Sequence, residues 1–391
     1  MHADAYDVVV VGAGLVGLAL APALLRAGLR VALVDRAAVA VPESDPATWD
    51  SRVYAISPGT ASFLRALGAW QALPCERLAP VESMRVEGDA GASLSFSAHE
   101  QGERALAWIV EERVLRAALL PLVHGAGVDV FGGVAPASLT WLPDAATLRL
   151  ADGRALSARL IVGADGGGSW VRGAAGIVAE PREYGQTAVV ANFTCERPHR
   201  GRAFQWFRPD GGVLAFLPLP DRRVSMVWSA PDALAAELRQ LPPEGLAARV
   251  AEAGHDALGT LETVTPAASF PLRFLRVPTS VALRLALVGD AAHGVHPLAG
   301  QGVNLGFGDA QALAMVLAER GPVADPGAAL LLERYARRRA EPVLAMQAVT
   351  DGLARLFGVP APWLRALRNA GLSAVDRLPA VKRALAQPAL R

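Results

Sequence analysis

Gly289 and Asp290 stand at the end of an apolar run, residues 281–288, that reads as a β-strand. His293, His296, Pro297, Gly300, Gln301, Gly302, Val303 and Asn304 follow closely. A carboxylate at a strand end can hold sugar or polyol hydroxyls. A helix opened by Gly300-Gln301-Gly302 leaves its first N–H groups unpaired and turns the positive end of its dipole toward whatever lies ahead. Together they suit a ligand that carries hydroxyls and gathers negative charge. Asp290, His293 and His296 also form a candidate metal set. A glycine-rich turn with no thiolate or further carboxylate nearby is a poor one, so no metal is expected.

A second arrangement near the start says what kind of ligand this is. An apolar strand, residues 6–11, runs into Gly12, Gly14 and Gly17, then a helix, a second strand at 30–34, and Asp35 followed by Arg36. This order is what a dinucleotide turn requires. Gly12 makes the turn, Gly14 lets pyrophosphate approach the backbone, Gly17 packs helix on strand, and Asp35 takes the adenosine ribose. Residues 8–25 are uncharged, but three glycines and Pro22 interrupt them and they are barely long enough to span a bilayer, so strand plus helix is the better reading. Pro22 is predicted to remove a hydrogen bond and kink that helix. Gly300, Gly302 and Gly306 imitate a second dinucleotide fingerprint, yet they lie too far past their strand. A nicotinamide cofactor therefore has no domain of its own and would bind transiently. A polyol anchor and a positive cap beside one dinucleotide turn are what a flavin adenine dinucleotide needs.

A third strand, near residues 160–164, ends in Asp165-Gly166 with Ser169 and Arg172 beyond. Alone, Asp-Gly reads as an ordinary turn. In company with the other two motifs it reads as part of the cofactor site.

These three motifs resemble the set that marks single-component flavin aromatic hydroxylases, of which para-hydroxybenzoate hydroxylase is the type member. Arg52 to Ser57 with Leu67-Gly68, the stretch from His293 to Gly306, and Phe204 to Phe207 with Leu217-Pro218 and Ser225 to Trp228 are similar to the ubiquinone-biosynthesis hydroxylases. The likeness covers roughly residues 5–380. It implies an α/β fold: a Rossmann-like FAD-binding domain, an inserted and mostly antiparallel sheet domain for substrate, and C-terminal helices. It implies non-covalent FAD, NAD(P)H as transient donor, and oxygen transfer to a phenolic ring through a flavin C4a-hydroperoxide. The cofactor residues it implies are Gly12, Gly14, Gly17, Asp35, Arg36, Arg52, Arg113, Asp165, Asp290, Gly302, Val303 and Asn304, with Pro297, Gly300 and Gln301 as the loop at the flavin edge. No general base is identifiable. Two departures stand out: Asp35 where the family usually carries Glu, and Phe307-Gly308 where a basic residue is common, which bears on the rim of the flavin pocket.

The 391 residues, 52% hydrophobic, are enough for two lobes with a large core, and a net charge of +1 gives no reason to expect nucleic acid. Cys75 and Cys195 form no paired motif and read as ordinary thiols of a reducing compartment. The first residues lack a basic leader, so a cytoplasmic protein is expected, with the inner-membrane periphery as an alternative. The expected division is a cofactor domain at 1–180 and 280–330, a substrate domain at 181–279 with 76–103 contributing, and a helical region at 331–391. A helix at 111–124 carries Arg113, and a helix capped by Ser57 starts at Pro58.

Trp206, Phe207, Phe216 and Trp228 lie on predicted strands of the second lobe. Most aromatic strand residues are core, but a prenylated substrate needs an apolar wall, and at least one of the four is a candidate for it. From Leu331 onward, eleven basic and four acidic residues give a net of +7. Leu353, Leu356, Phe357, Leu364 and Leu367 sit there at helical spacing among Arg365, Arg368, Arg377, Lys382 and Arg383. That pattern suits either a basic helix lying on a membrane or lipid-loaded partner, or packing against the cofactor domain. The reading is an FAD-dependent monooxygenase acting on a polyprenylated phenol, the alternatives being a hydroxylase or epoxidase acting on another hydrophobic aromatic compound, or a non-catalytic flavin-binding subunit of a biosynthetic assembly.

Overall fold

Residues 4–41, 45, 47–125, 127–179, 181–296, 298–300, 302–321 and 323–390 are described by the computed structural model. The valine-rich run of Asp4–Val11 is buried on both faces, as a central strand of a parallel sheet must be. It pairs in parallel with Val31–Asp35 on one side and Ala155–Gly163 on the other. Asp129–Gly132 and Leu285–Leu287 extend the parallel order outward. A meander of Pro136–Trp141 and Ala146–Leu150 leads antiparallel into Ala155–Gly163. Because these five strands are parallel, Val11, Asp35, Gly163 and Leu287 all end at one edge of the sheet. All three sequence motifs begin there.

The expected strand at 281–288 is instead a tight hairpin, Val281–Ala282 against Leu285–Leu287. Arg284 turns the chain at φ +54°. Its buried guanidinium is held by the carbonyls of Pro143 and Arg159 and by Asp325. An apolar run without Gly, Pro or Asn gives no local sign of a turn that distant partners enforce. The helix Leu15–Arg26 runs through Pro22.

A second sheet is antiparallel along most of its width, in the order 268–276, 182–195, 223–231, 213–219, 202–207, 83–87, 93–97. Helices Asp232–Gln240 and Pro243–Ala253 cover one face, where Phe193, Trp206, Phe216 and Trp228 form the core. The opposite face meets the first lobe, with Ala203, Leu217, Leu219 and Val227 against Val53, Ala55, Ala107 and Ile109. The Ala329–Gly358 helix crosses from the first lobe to the second. At its end Phe357 stacks on Phe207, ring centroids 3.7 Å apart.

Candidate functional site

At the first turn, backbone crowding dictates residue type. Gly12 sits at φ +111°, and a Cβ there would lie 2.3 Å from the Ala164 carbonyl oxygen. A Cβ at Gly17 would lie 1.9 Å from the oxygen of Gly12. Gly14 differs: nothing lies within 4 Å of where its Cβ would be. It is the N-cap of the Leu15–Arg26 helix, and no side chain caps that end. An open cradle ahead of unpaired N–H groups is what a pyrophosphate fills.

Asp35 braces this turn, accepting from Ala13 N at 2.5 Å and Ala37 N at 2.7 Å. Arg36 is exposed beside it. Arg113, expected near cofactor phosphate or ribityl, points elsewhere. Its guanidinium binds Thr48 Oγ1 at 2.8 Å and lies 3.3 Å from Glu111, holding the 48–50 loop. Burial pushes the Glu111 carboxyl upward although Arg77 and Arg113 pull it down. Arg116, one turn further along the same helix, reaches the cradle instead and donates to Ala13 O at 2.7 Å. Helical spacing placed both arginines on neighbouring positions of one face; only the packing of the helix decides which is used.

The Asp165 motif is spent on itself. Asp165 accepts from Ser169 Oγ at 2.5 Å and Val171 N at 3.0 Å, and Ser169 caps Arg172 N at 3.0 Å. Arg172 then donates to Ala291 O at 2.9 Å. The motif locks the third strand end to the Asp290 turn.

Asp290 lies in the turn Gly289–Ala291, with Gly289 at φ +60°. Its side chain is exposed, yet the protein around it desolvates the carboxyl enough to raise its pKa, against the pull of His293 and Arg52. Arg52 is paired with Glu112 at 2.8 Å. Val16 of the first helix nests between Gly289 and Gly306, where a Cβ on Gly306 would come within 2.6 Å of it. The helix Gly302–Ala318 is thereby held against both turns. The Asn304 side chain accepts from Ser57 N at 3.1 Å and donates to Ala55 O at 2.8 Å, so it fastens the helix start to the Val53–Ile56 strand. Pro297 and Gln301 lie outside the described residues. Gly300 takes φ +64° with Ala55 directly beside it. Phe307 does not reach the pocket rim: it is buried against Phe63.

His293 and His296 point to different partners, which explains them without a metal. His293 Nε2 lies 2.6 Å from Asp309, and His296 Nε2 lies 3.0 Å from Gln186 Oε1. Burial works to lower both pKa values. It succeeds at His296, pushed down to about 4, whereas the Asp309 carboxylate holds His293 above its ordinary value.

The face of the second sheet toward the first lobe was missed by attention to aromatics. Of the four aromatic candidates only Phe207 is on it, packed near Leu298. The strand register places Asn192 opposite Ser225, and Gln205, Ala215, Val227 and Val190 in the next row. Asn192 Oδ1, Gln205 Oε1 and Ser225 Oγ are buried with no hydrogen-bond partner among the described residues. Asn192 Nδ2 donates across the lobes to Asp50 O at 2.8 Å. The period-2 alternation of these strands could have identified this face, because its residues alternate with the aromatic core.

A bare helix end at a glycine turn, an acid at a neighbouring strand end, and a second glycine-opened helix define a protein that holds FAD at the carboxyl edge of a parallel sheet. The FAD binding domain family matches residues 5–350. The chain is 38% identical over 387 residues to ubiquinone hydroxylase UbiL of Rhodospirillum rubrum, covering 96% of this chain and 87% of that protein. It is 37% identical over 386 residues to the 3-demethoxyubiquinol 3-hydroxylase of Escherichia coli, covering 96% of each. The crystal structure of P. aeruginosa PqsL in complex with 2-aminobenzoylacetate matches with a TM-score of 0.78 at 27% identity, over 94% of this chain and 99% of that one. The chain belongs to the FAD-binding family that includes these ubiquinone hydroxylases, and it is an FAD-dependent monooxygenase.

Proposed function

We propose that this protein hydroxylates the ring of a polyprenylated phenol, a ubiquinone precursor, with NADH or NADPH as transient electron donor. The observation that carries the substrate reading is the second-sheet face: small and apolar at Val190, Ala215 and Val227, with unpartnered acceptors at Asn192, Gln205 and Ser225. A buried acceptor left unpaired costs about 1–3 kcal/mol, and a phenolic hydroxyl would relieve it.

Gly12, Gly14, Gly17, Asp35 and Arg36 would hold the adenosine and pyrophosphate, with Arg116 fixing the turn from behind. Asp290 would anchor the ribityl chain, and Arg52 lies close enough to Asp290 to influence it. Backbone N–H groups of Gly302, Val303 and Asn304 would meet the charged edge of the ring. Bound FAD, once reduced, supplies the activation of O2. The chain's own task is to orient the phenol over the ring and exclude water, because it offers no identified general base.

The cofactor domain would comprise residues 1–180 and 280–330, with 181–279 and the 76–103 segment forming the substrate lobe and 331–391 a helical region. Peripheral association with a membrane or lipid carrier, or a place in a multi-enzyme assembly, fits an isoprenoid substrate. Among the described residues no helix is long and apolar enough to cross a membrane.

The test is NAD(P)H oxidation by the purified FAD-loaded protein, with prenylated phenols in detergent and the product followed by mass spectrometry. Substrate-stimulated oxidation matched by a product 16 mass units heavier is expected, one oxygen atom having been added. Stimulated oxidation that yields only hydrogen peroxide with every phenol tried would remove the hydroxylase reading.

A further inference from the structure

Behind the Asp290 turn lies a buried ionic cluster that cofactor contact does not explain. Asp309, two turns into the Gly302–Ala318 helix, is 1% exposed. One oxygen accepts from Gly289 N at 2.8 Å and from His293 Nε2 at 2.6 Å; the other accepts from Arg339 Nε at 2.6 Å. Arg339 comes from the Ala329–Gly358 helix and also donates to Leu305 O at 3.1 Å. One carboxylate thus joins three elements: the turn that presents Asp290, the helix whose first N–H groups face the site, and the long helix that continues to the second lobe. Gly308 makes room for this. A Cβ there would meet the Arg339 guanidinium at 3.0 Å. The charge at this place arrives from a distant helix where the local sequence has Phe307-Gly308.

We propose that Asp309 is a positioning residue for the flavin reaction. It fixes the spacing between the Asp290 turn and the start of the Gly302–Ala318 helix, and Arg339 fixes Asp309. A carboxylate held by an arginine, an imidazole and one backbone N–H has its lone pairs committed in defined directions, so turn and helix cannot slide independently. Asp309 also raises the pKa of the neighbouring His293, against burial. The charged groups facing that imidazole are Asp309, Asp290, Arg339 and, across the strand pair, Arg276. The arrangement matters most for the reduced cofactor, because the N–H groups of the helix start favour negative charge and act only over about one turn. Misplacing that helix end weakens binding of reduced FAD more than that of oxidised FAD.

The cluster is open to experiment from behind. His293, Asp309, Arg339 and Arg276 border a cavity of about 250 Å³ on the side of the Ala329–Gly358 helix. A small cation can therefore replace a removed side chain. The experiment compares Asp309→Asn, Arg339→Ala and, as a control, Asp89→Asn. Asp89 is a similarly buried carboxylate, paired with Arg368 and Asn369, but it ties the tail to the second-lobe hairpin. FAD dissociation constants, the two-electron midpoint potential of bound FAD and melting temperatures are measured for each. Asp309→Asn and Arg339→Ala should weaken FAD binding at least tenfold. Reduced FAD should lose about tenfold more affinity than oxidised FAD, which lowers the midpoint by about 30 mV for a two-electron couple. Guanidinium at millimolar concentration should restore both quantities in Arg339→Ala, and Asp89→Asn should change neither. If Asp309→Asn does not fold, Arg339→Ala and its rescue decide the matter alone. Lower melting temperatures in both variants, with affinity and midpoint at their parent values, would reduce the cluster to a structural clamp and overturn the proposal.

Discussion

The two lobes offer the ligands proposed for them opposite parts of the chain. In the first lobe the proposed site is made of backbone: two helix starts, glycines excluded from substitution by main-chain atoms, and acids that brace turns. In the second the proposed site is made of side chains on one face of a sheet, with three buried oxygens unpaired among the described residues. A backbone site recognises features shared by every FAD molecule. A side-chain face can be altered residue by residue without disturbing the strands, so it is the lobe where substrate choice can vary while cofactor chemistry stays fixed.

The largest effect expected from this contrast is at Gly17. Gly17→Ala places a methyl 1.9 Å from the Gly12 oxygen, a main-chain atom that cannot rotate away. Purified Gly17→Ala should carry less than about a tenth of the parent's flavin, since overpacking of this kind costs roughly 1–3 kcal/mol or more. Flavin absorbance per protein measures it, and near-stoichiometric FAD would contradict the backbone description. Asp290→Ala should come next. Losing a hydrogen bond from a charged group costs about 1.5–3 kcal/mol, or roughly ten- to a hundredfold in FAD affinity.

The second lobe should behave in the opposite way. Gln205→Leu and Ser225→Val should leave FAD affinity within about twofold. Each removes an unpaired buried polar group, so the melting temperature should hold or rise. The cost should fall on substrate, with the KM for the phenol raised about five- to a hundredfold, as roughly 1–3 kcal/mol of lost hydrogen bonding implies. Steady-state kinetics beside flavin titration separates the two lobes. Lost flavin in either variant would erase the distinction between them.

How much of this the sequence revealed follows the same division. The dinucleotide turn, the Ser57 cap and the Gly302 helix were legible because each is a local rule about glycine, proline or a capping hydroxyl. The contact of Arg116 with the first turn, the hairpin at Arg284, and the Asp309 hub depend on partners 16 to 141 residues away in sequence. Local pattern carries no information about such partners. The aromatic candidates divide between the two faces: Trp206, Phe216 and Trp228 mark the helix-covered side of the sheet, and Phe207 lies on the side toward the first lobe with the residues between them.

The two histidines that follow Asp290 give a pH test of moderate size. His296 is buried neutral with its pKa near 4, so the unfolded chain binds a proton that the native state refuses between about pH 6.5 and 4. Its contribution to stability is therefore intact above pH 6.5 and is lost as pH falls through that window, by roughly 1 kcal/mol at pH 5.5. His293 has the opposite sign. Its pKa is raised, so its stabilisation is present below pH 6.5 and is lost as pH rises through the folded value. His296→Gln should flatten the acid side of a plot of melting temperature against pH, leaving the alkaline side unchanged. Parallel curves for parent and variant below pH 6.5 would mean that His296 is not buried in its neutral form.

The smallest expected effect concerns the tail, where the structure divides the residues that the sequence grouped together. Leu353, Leu356 and Phe357 pack in one cluster with Val86, Leu94, Phe207 and Val213 of the second lobe and with Leu298, which precedes the Gly302–Ala318 helix. Arg368 is paired with buried Asp89, Arg365 reaches the same residue, and Lys382 lies 3.5 Å from both Glu100 and Asp376. Trp363 and Leu367, one helical turn apart, remain 70% and 61% exposed, with Leu378 just before the next helix and Leu385 on it also exposed, and Arg377 and Arg383 nearby in sequence. Any lipid contact of this region therefore rests on a few exposed side chains, and each base near an anionic surface contributes only about 1 kcal/mol. Arg377→Gln with Arg383→Gln should weaken binding to phosphatidylglycerol vesicles about tenfold, and salt should weaken the parent similarly. Trp363→Ala should weaken it further by removing apolar area. The catalytic rate with a short-chain phenol should be unaffected by all three changes, because none touches either lobe's site. Vesicle binding that is salt-insensitive and indifferent to these substitutions would leave the exposed tryptophan facing a protein partner or solvent, and the tail with no part in reaching a lipid-borne substrate.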